Sequence, residues 1–142
     1  MLHLIKLSVG PESLADLQGW QQQRLAERRQ RGLPAEINHI TRQMPKRTTE
    51  LLDGGSIYWV IKGWLCARQP LLDLRAVTID GVPHCALVLA PELVRVVPRR
   101  HRPFQGWRYL QASDAPRDLP PGTEPGQGDE ALARELSALG LL

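Results

Sequence analysis

The stretch from Leu51 to Leu74, LLDGGSIYWVIKGWLCARQPLLDL, is the most apolar and most aromatic part of the chain. Side chains alternate between two faces along a β-strand. Here one face carries Ile57, Trp59 and Ile61, and the other carries Tyr58, Val60 and Lys62. Because both faces are mostly apolar, the pattern predicts a central strand that is covered on both sides. We expect the rest of the chain to pack against it.

The residues before this stretch predict two strands and two helices. Residues 2–9 alternate as a first strand, and residues 38–42 form a second strand candidate. Between them, Ser13 is placed to cap a helix over 13–31. A shorter helix is expected over 46–53, directly before the central strand.

The residues after the central strand predict an antiparallel meander. We expect a bulge or bend at Gly63 and a break at Pro70. Asp80-Gly81 predicts a hairpin, because a type I′ turn needs positive φ at both central residues. A return strand over 82–89 then leads to a further strand that ends at Pro98.

Together these elements predict an α+β domain with a mixed, mainly antiparallel sheet, either curled or closed into a small β-barrel, with flanking helices. A chain of 142 residues is the size of one ordinary domain. We place this domain at residues 1–111, a Pro/Gly-rich linker at 112–128 and a C-terminal helix at 129–142. The linker has too few apolar residues to order itself. A helix this short must dock on the domain or on a partner.

Charge is unevenly spread along the chain. Residues 1–110 carry 16 Lys/Arg and 9 Asp/Glu, whereas residues 111–142 carry 2 and 6. A basic body is typical of proteins that bind polyanions. A solvated surface that keeps the protein soluble explains the same charge without a partner.

The sequence lacks the residues that several classes of protein function would require. No apolar run reaches the roughly 18 residues of a membrane helix, so we expect no membrane partner and a cytoplasmic protein. Cys66 and Cys85 then predict free buried thiols. There is no glycine-rich phosphate loop, nucleophile elbow or zinc-ligand cluster. We therefore expect neither cofactor nor metal, and a binding module in preference to an enzyme; His39, without a second His nearby, is interpreted as structural.

Basic and aromatic residues interleave most densely in RRHRPFQGWRYL, residues 99–110. Single-stranded nucleic acid is held by cations along its backbone and by aromatic faces under its bases. The segment therefore predicts a nucleic-acid site, most simply for RNA. The residues that we assign to it are Lys62, Arg68, Arg99, Arg100, Arg102, Trp107 and Arg108. In the alternative interpretation, Phe104 and Trp107 belong to the core and the arginines are solvated.

Long segments of the chain resemble a family of uncharacterised proteins. They are LIKL near the start, LLDGGSIYWVIKG around the central strand, and RPFQGWRYL followed by DAPRDL. The resemblance spans most of residues 1–119 and implies a domain of unknown function found in alphaproteobacteria, with no assigned activity. Residues 45–80 are also similar to PUA-like domains of the ASCH and EVE branches, which implies a small β-barrel that binds RNA or modified bases. The glycine, lysine, glutamate and arginine pattern of ASCH domains is absent after Gly54-Gly55.

Two other functions fit the sequence. In one, the acidic tail and the C-terminal helix at 129–142 dock onto a protein partner or a second copy of the chain. In the other, a pocket near Tyr58, Trp59 and Lys62 binds a small molecule or supports catalysis. The sequence does not choose between these two, and fold alone does not assign a function.

Overall fold

A computed structural model describes residues 1–120, and the expected C-terminal helix lies outside the described residues. The elements, in chain order, are β1 (Leu2–Leu7), α1 (Leu14–Gln30), β2 (Ile37–Thr41), α2 (Thr48–Leu52), β3 (Ser56–Ile61), β4 (Trp64–Ile79), β5 (Val82–Leu89), β6 (Val94–Arg100), β7 (Trp107–Gln111) and a 3-10 turn at Ala112–Asp114. The α+β class predicted from the sequence is confirmed.

The strands form one mixed sheet with the order β2-β5-β4-β3-β1-β7. β1 and β3 are parallel, and every other pair is antiparallel. β6 pairs with the first part of β4 and β5 with the second part, so β5 and β6 follow each other along the side of β4 opposite β3. The predicted curled sheet is present, and it is not closed into a barrel.

The sheet folds back on itself around a core that α1 covers. His39 on β2 contacts Trp59 on β3, with ring centroids 5.1 Å apart, although β2 and β3 are three strands apart in the sheet. We call the face that carries Trp59 the inner face; Leu14 and Leu17 of α1 pack against it. We call the opposite face, which carries Tyr58, the outer face. The predicted division of β3 between two apolar faces is therefore confirmed.

Local sequence accounts for how α1 begins and for how the chain enters β3. Ser13 Oγ accepts a hydrogen bond from the Asp16 backbone N–H at 3.1 Å, and Asp16 accepts one from the Glu12 N–H, so the predicted cap is present. A side chain at Gly55 would collide with the carbonyl oxygens of Leu51 and Leu2, so only glycine fits between α2 and β3.

A fully buried amide joins three elements on the inner face. Gln69 Oε1 accepts from Trp59 Nε1 and from Gln21 Nε2, each at 3.1 Å. Gln69 Nε2 donates to Gln21 Oε1 and to the Ala90 carbonyl, each at 2.8 Å. These bonds tie α1 to β3, β4 and the end of β5. We call this set the Gln69 network.

The bulge or bend predicted at Gly63 is a two-residue hairpin turn, since Lys62 and Gly63 both have positive φ, at 49° and 84°. The break predicted in β4 at Pro70 is wrong. Pro70 does not break the strand, because β4 runs on to Ile79. The ring nitrogen of Pro70, which carries no hydrogen, faces the gap between β5 and β6, so no neighbouring strand needs a hydrogen bond from it. The Pro70 carbonyl faces the same gap and accepts a hydrogen bond from the Ala90 N–H at 2.9 Å.

The predicted end of β6 at Pro98 is also wrong, because the strand continues to Arg100. Pro98 lies where the β4–β6 register shifts, between the Ala67–Arg95 and Leu65–Arg99 pairs, so its missing N–H costs no regular ladder bond. By contrast, the predicted Asp80-Gly81 hairpin is confirmed, with φ of 51° and 77°.

Residues 112–120 contact the outer face. Leu119 is buried, and its N–H donates to the Arg95 carbonyl at 2.9 Å. Asp118 forms an isolated bridge with Val96. This part of the expected linker therefore has defined contacts, while the proposed division at 111 and 128 stays a prediction. Among the described helices, none has the length and apolar character needed to cross a membrane.

Replacing Gln69 with Leu should lower the free energy of unfolding by about 2–4 kcal/mol. The substitution leaves the Trp59 indole N–H, the Gln21 amide and the Ala90 carbonyl buried without their partner, and each such loss costs about 1–3 kcal/mol, partly relieved by relaxation. Urea unfolding measures the change. Gln22→Leu, an exposed position on α1, is the control and should stay within about 0.5 kcal/mol of wild type. Equal stability of the two variants would contradict the role of the network.

Candidate functional site

The topology gathers basic residues from distant parts of the sequence at one end of the sheet. β1 and β3 are parallel, so both end beside the Lys62-Gly63 turn. β6 runs antiparallel to β4 and pairs Arg100 with Trp64 just after that turn. The His101 N–H donates to the Gly63 carbonyl at 2.9 Å, which fixes the end of β6 to the turn. We call this region the basic end; its residues are Lys62, Trp64, Arg99, Arg100 and Arg102.

The cations of the basic end keep their charge available. Lys62 and Arg102 are exposed, and Lys62 has one loose pair with Glu12, at 3.8 Å. The Arg100 guanidinium lies over the Trp64 ring, 4.9 Å from its centroid. Arg99 donates to a backbone carbonyl, that of Asp114, at 2.7 Å. None of these contacts within the described residues is a close pair with a carboxylate.

Arg68 is four residues further along β4 than Trp64, paired with Val94 at the start of β6, and has a structural partner. Its Nε and Nη2 atoms each donate to a carboxylate oxygen of Asp118 at 2.7 Å, and Nη1 donates to Ser56 Oγ at 3.0 Å. Hydrogen bonds from Arg68 hold the pKa of Asp118 below its ordinary value. The structure therefore does not bring Arg68 together with the other predicted residues.

Trp107 and Arg108 begin β7 at the same end of the sheet but project from opposite faces. Trp107 packs on the inner cluster, and its Nε1 donates to the Gln43 carbonyl at 2.7 Å. Arg108 lies on the outer face, 4.8 Å from the centroid of Phe104, which is itself buried. Phe104 is thus a core residue, and Trp107 is half-buried with its polar atom already bonded.

The residues of the small-molecule alternative are separated as well. Trp59 is only 1% exposed on the inner face, whereas Tyr58 lies on the outer face. Burial raises the pKa of the Tyr58 phenol. Of the two spaces described below, one is lined by Trp59 and neither is lined by Tyr58.

A second basic region lies between α1 and β2. A cleft of about 520 Å³, here called the α1 cleft, runs along the helix and is lined by Arg24, Arg28, Arg31 and β2. A smaller pocket of about 80 Å³, here called the inner pocket, is lined by Ser8, Trp20, Trp59 and parts of α1. Arg24, Ile37 and His39 line both, so the two spaces adjoin.

His39 stands in an electropositive surrounding at this junction. Burial, with smaller contributions from the nearby charges of Lys6 and Arg24, lowers the pKa of its imidazole to about 4. The side chain of Lys6 is half-buried, and that burial lowers its pKa. The sequence alone led to the interpretation of His39 as a structural residue. It did not predict that His39 lies close to Lys6 and Arg24, because these residues are on β2, β1 and α1, which only the fold brings together.

No three His, Cys, Asp or Glu side chains in residues 1–120 cluster as metal ligands would. Cys66 and Cys85 are both buried, as the sequence predicted. Burial raises the pKa of Cys85, so its thiolate is disfavoured.

The fold and these two regions define an α+β domain with an open mixed sheet and unpaired cations at two places. Residues 4–142 match the family model described as "Protein of unknown function (DUF1489)". The chain belongs to this family, and the resemblance to an uncharacterised family is confirmed at that level. No curated protein and no solved structure matches the chain.

Arg68→Met should cost stability and spare any ligand binding at the basic end. The change removes a bidentate salt bridge with Asp118 that is partly screened by solvent. We therefore expect the free energy of unfolding to fall by about 1–2 kcal/mol. Chemical denaturation measures it. Arg102→Met, an exposed arginine without a partner among the described residues, is the matched control and should change stability by less than about 0.5 kcal/mol. If Arg68→Met does not change stability, Arg68 has no structural role and becomes a candidate for ligand binding again.

Because of His39, the free energy of unfolding should fall as the pH is lowered, at pH values above those at which most carboxylates are protonated. Its ordinary pKa is near 6.5 and its folded pKa is about 4, so the unfolded chain takes up the proton first as pH falls. The stability contributed by the neutral ring is complete above pH 6.5 and is lost on going down to about pH 4. The loss amounts to at most about 3 kcal/mol.

The measurement is the free energy of unfolding from pH 7 to 4 for wild type and His39→Gln. Wild type should lose more stability over this range, because only its unfolded state gains the extra proton at position 39. Parallel curves would show that His39 titrates alike in both states.

Proposed function

We propose that this protein binds nucleic acid through the basic end, with single-stranded RNA as the first ligand to test. The observation that carries the proposal is the group formed by Lys62, Arg99, Arg100 and Arg102 at the end of the sheet next to the β3–β4 turn, where Arg100 lies over Trp64. Within residues 1–120, its only carboxylate contact is the loose Lys62–Glu12 pair. Cations placed in this way neutralise phosphates and release counterions, which supplies most of the affinity of such interfaces.

The contrast with other cations of the chain supports the proposal. Arg28 and Arg75 both pair with Glu36, and Arg47 pairs with Glu50. Exposed arginines without a close carboxylate occur elsewhere too, such as Arg29 on α1 and Arg24 and Arg31 at the α1 cleft. The basic end differs in bringing four cations to one end of the sheet beside an aromatic ring. Arg100 lies over Trp64, whereas Arg99 pairs in register with Leu65 of the outer cluster.

Trp64 gives the basic end an aromatic element. It is half-buried against the inner cluster, and Arg100 covers one of its faces. A cation held over a ring forms a flat, charged surface, on which a base can stack while its phosphate is paired. Trp107 contributes less than the sequence predicted, because it is half-buried and its indole N–H is already bonded to Gln43.

In this proposal the protein acts as a cytoplasmic bacterial binding module without a catalytic step of its own. Arg68 is left out, since Asp118 holds it. The alternative, a protein partner for residues 129–142, concerns a part of the chain outside the described residues.

Binding should fall steeply with salt and should depend on the basic end. Fluorescence anisotropy with a labelled single-stranded RNA, its DNA counterpart and a duplex, at about 50 and 200 mM salt, measures both. Removing two cations by Arg100→Gln with Arg102→Gln should weaken binding and reduce the slope of log K against log salt by about 1.4, at about 0.7 per phosphate contact.

The control is Arg29→Gln with Arg75→Gln, which removes the same charge from α1 and from the distant half of β4. It should leave the salt slope close to that of wild type. If both double variants weaken binding equally, net charge alone is responsible and the site is wrong. If no nucleic acid binds at low salt, the proposed function is wrong.

A further inference from the structure

The inner pocket and the α1 cleft hold a second group of cations, separate from the basic end. Arg24 projects from α1 and lines both spaces. Lys6 lies on the inner face, since it pairs in register with Trp59 of β3 and Trp107 of β7. His39 from β2 lies at the junction, edge-on to Trp59.

These three nitrogen-bearing side chains have no partner among the described residues. Lys6 and Arg24 form no ion pair or side-chain hydrogen bond there, and no ring nitrogen of His39 is bonded. Two acidic residues also line the α1 cleft: Glu36 is held by Arg28 and Arg75, and Glu27 is exposed. The half-buried Lys6 and the exposed Arg24 lie close to a neutral imidazole, an arrangement that favours a bound anion.

We propose that Arg24 and His39 bind a phosphate group in the inner pocket, and that the organic part of the same ligand lies in the α1 cleft. Arg24 offers a guanidinium and His39 one imidazole N–H. Phosphate oxygens are the acceptors that such donors bind most strongly. Lys6 does not line either space, and it adds positive charge close to His39.

The sizes of the two spaces match this division. The inner pocket, at about 80 Å³, has room for a group only a few times larger than a water molecule, whose share of liquid volume is about 30 Å³. The α1 cleft, at about 520 Å³, is within the range of small-molecule sites, about 300–1,000 Å³. A phosphorylated small molecule of about mononucleotide size fills both. The 5′-phosphate of a nucleic-acid strand presents the same chemistry.

The floor of the pocket is fixed in advance. Trp59 is held by Gln69, and Gln69 is held by Gln21 of α1. Arg24 lies on that helix, three residues after Gln21, and so projects from nearly the same side. Because the helix and the strand are locked together, the donors need little rearrangement to meet a ligand.

The test is isothermal titration of the full chain with inorganic phosphate, uridine 5′-monophosphate, and one short oligoribonucleotide with either a 5′-phosphate or a 5′-hydroxyl. Arg24→Gln and Lys6→Met should each weaken binding of the phosphate-bearing ligands about tenfold or more, since the first removes a charge-assisted bond and the second removes a nearby positive charge. Arg29→Gln, a cation of the same helix outside the cleft lining, is the control and should bind as wild type does.

A second measurement does not depend on affinity. NMR titration of the His39 ring should show its pKa rise from about 4 when phosphate is saturating, because the bound anion favours the protonated ring. Tighter binding of the mononucleotide than of inorganic phosphate identifies a small-molecule site. Binding that favours only the 5′-phosphorylated strand identifies a strand end.

Two results would overturn the proposal: no phosphate-bearing ligand binds, or binding persists unchanged in Arg24→Gln and Lys6→Met with no movement of the His39 pKa. These outcomes are independent of the basic end. Loss of RNA binding in the Arg100/Arg102 variant tests that surface alone, and a 5′-hydroxyl strand reports on it without the phosphate pocket.

Discussion

The buried amide of Gln69 is the interaction on which the arrangement of the inner face depends. A fully buried glutamine is costly unless each of its polar atoms is bonded, and here both are. Its oxygen orients the Trp59 indole and its nitrogen holds the chain after β5. Gln21 gives α1 one position relative to the sheet, where purely apolar packing would tolerate several. The polar pair thus contributes specificity as well as stability.

The topology of the sheet and the fixed position of α1 place the residues of both candidate sites. The sheet has one parallel pair, β1 and β3, and this pair places the end of β1 next to the β3–β4 turn. The return of β6 along β4 then adds Arg99 and Arg100 to the same end. On the inner face, the locked position of α1 places Arg24 across from His39. Within residues 1–120, cations without a close carboxylate partner therefore lie at both places, at the basic end beside Trp64 and at the junction of the inner pocket and the α1 cleft near Trp59.

Much of the local structure was predictable, because it depends on neighbouring residues. The two apolar faces of β3, the Ser13 cap and the Asp80-Gly81 turn each follow from a few adjacent positions. The Lys62-Gly63 turn was not, since lysine seldom adopts positive φ and gives no turn signal. Pro70 and Pro98 were misinterpreted because a proline ends a strand only where its partner needs the missing N–H, and pairing is not visible in sequence.

The sites were less predictable, for the same reason. Composition located the arginines near residue 100, but it could not show that Arg68 is held by Asp118, fifty positions later. Nor could it show that Phe104 is buried while Arg108 lies over it. The His39 group has no sequence signal, because Lys6, Arg24 and His39 share no motif and meet only through tertiary packing.

The most direct test of the central claim is a residue-resolved map of where nucleic acid binds the full chain. Amide and indole resonances of the ¹⁵N-labelled protein would be recorded during titration with a short single-stranded RNA at about 50 mM salt. The account predicts that the largest shifts fall on Lys62, the Trp64 indole and residues 99–102, and that they shrink as salt is raised. Shifts centred on the distant hairpin at Asp80-Gly81, or no shifts at all, would contradict it.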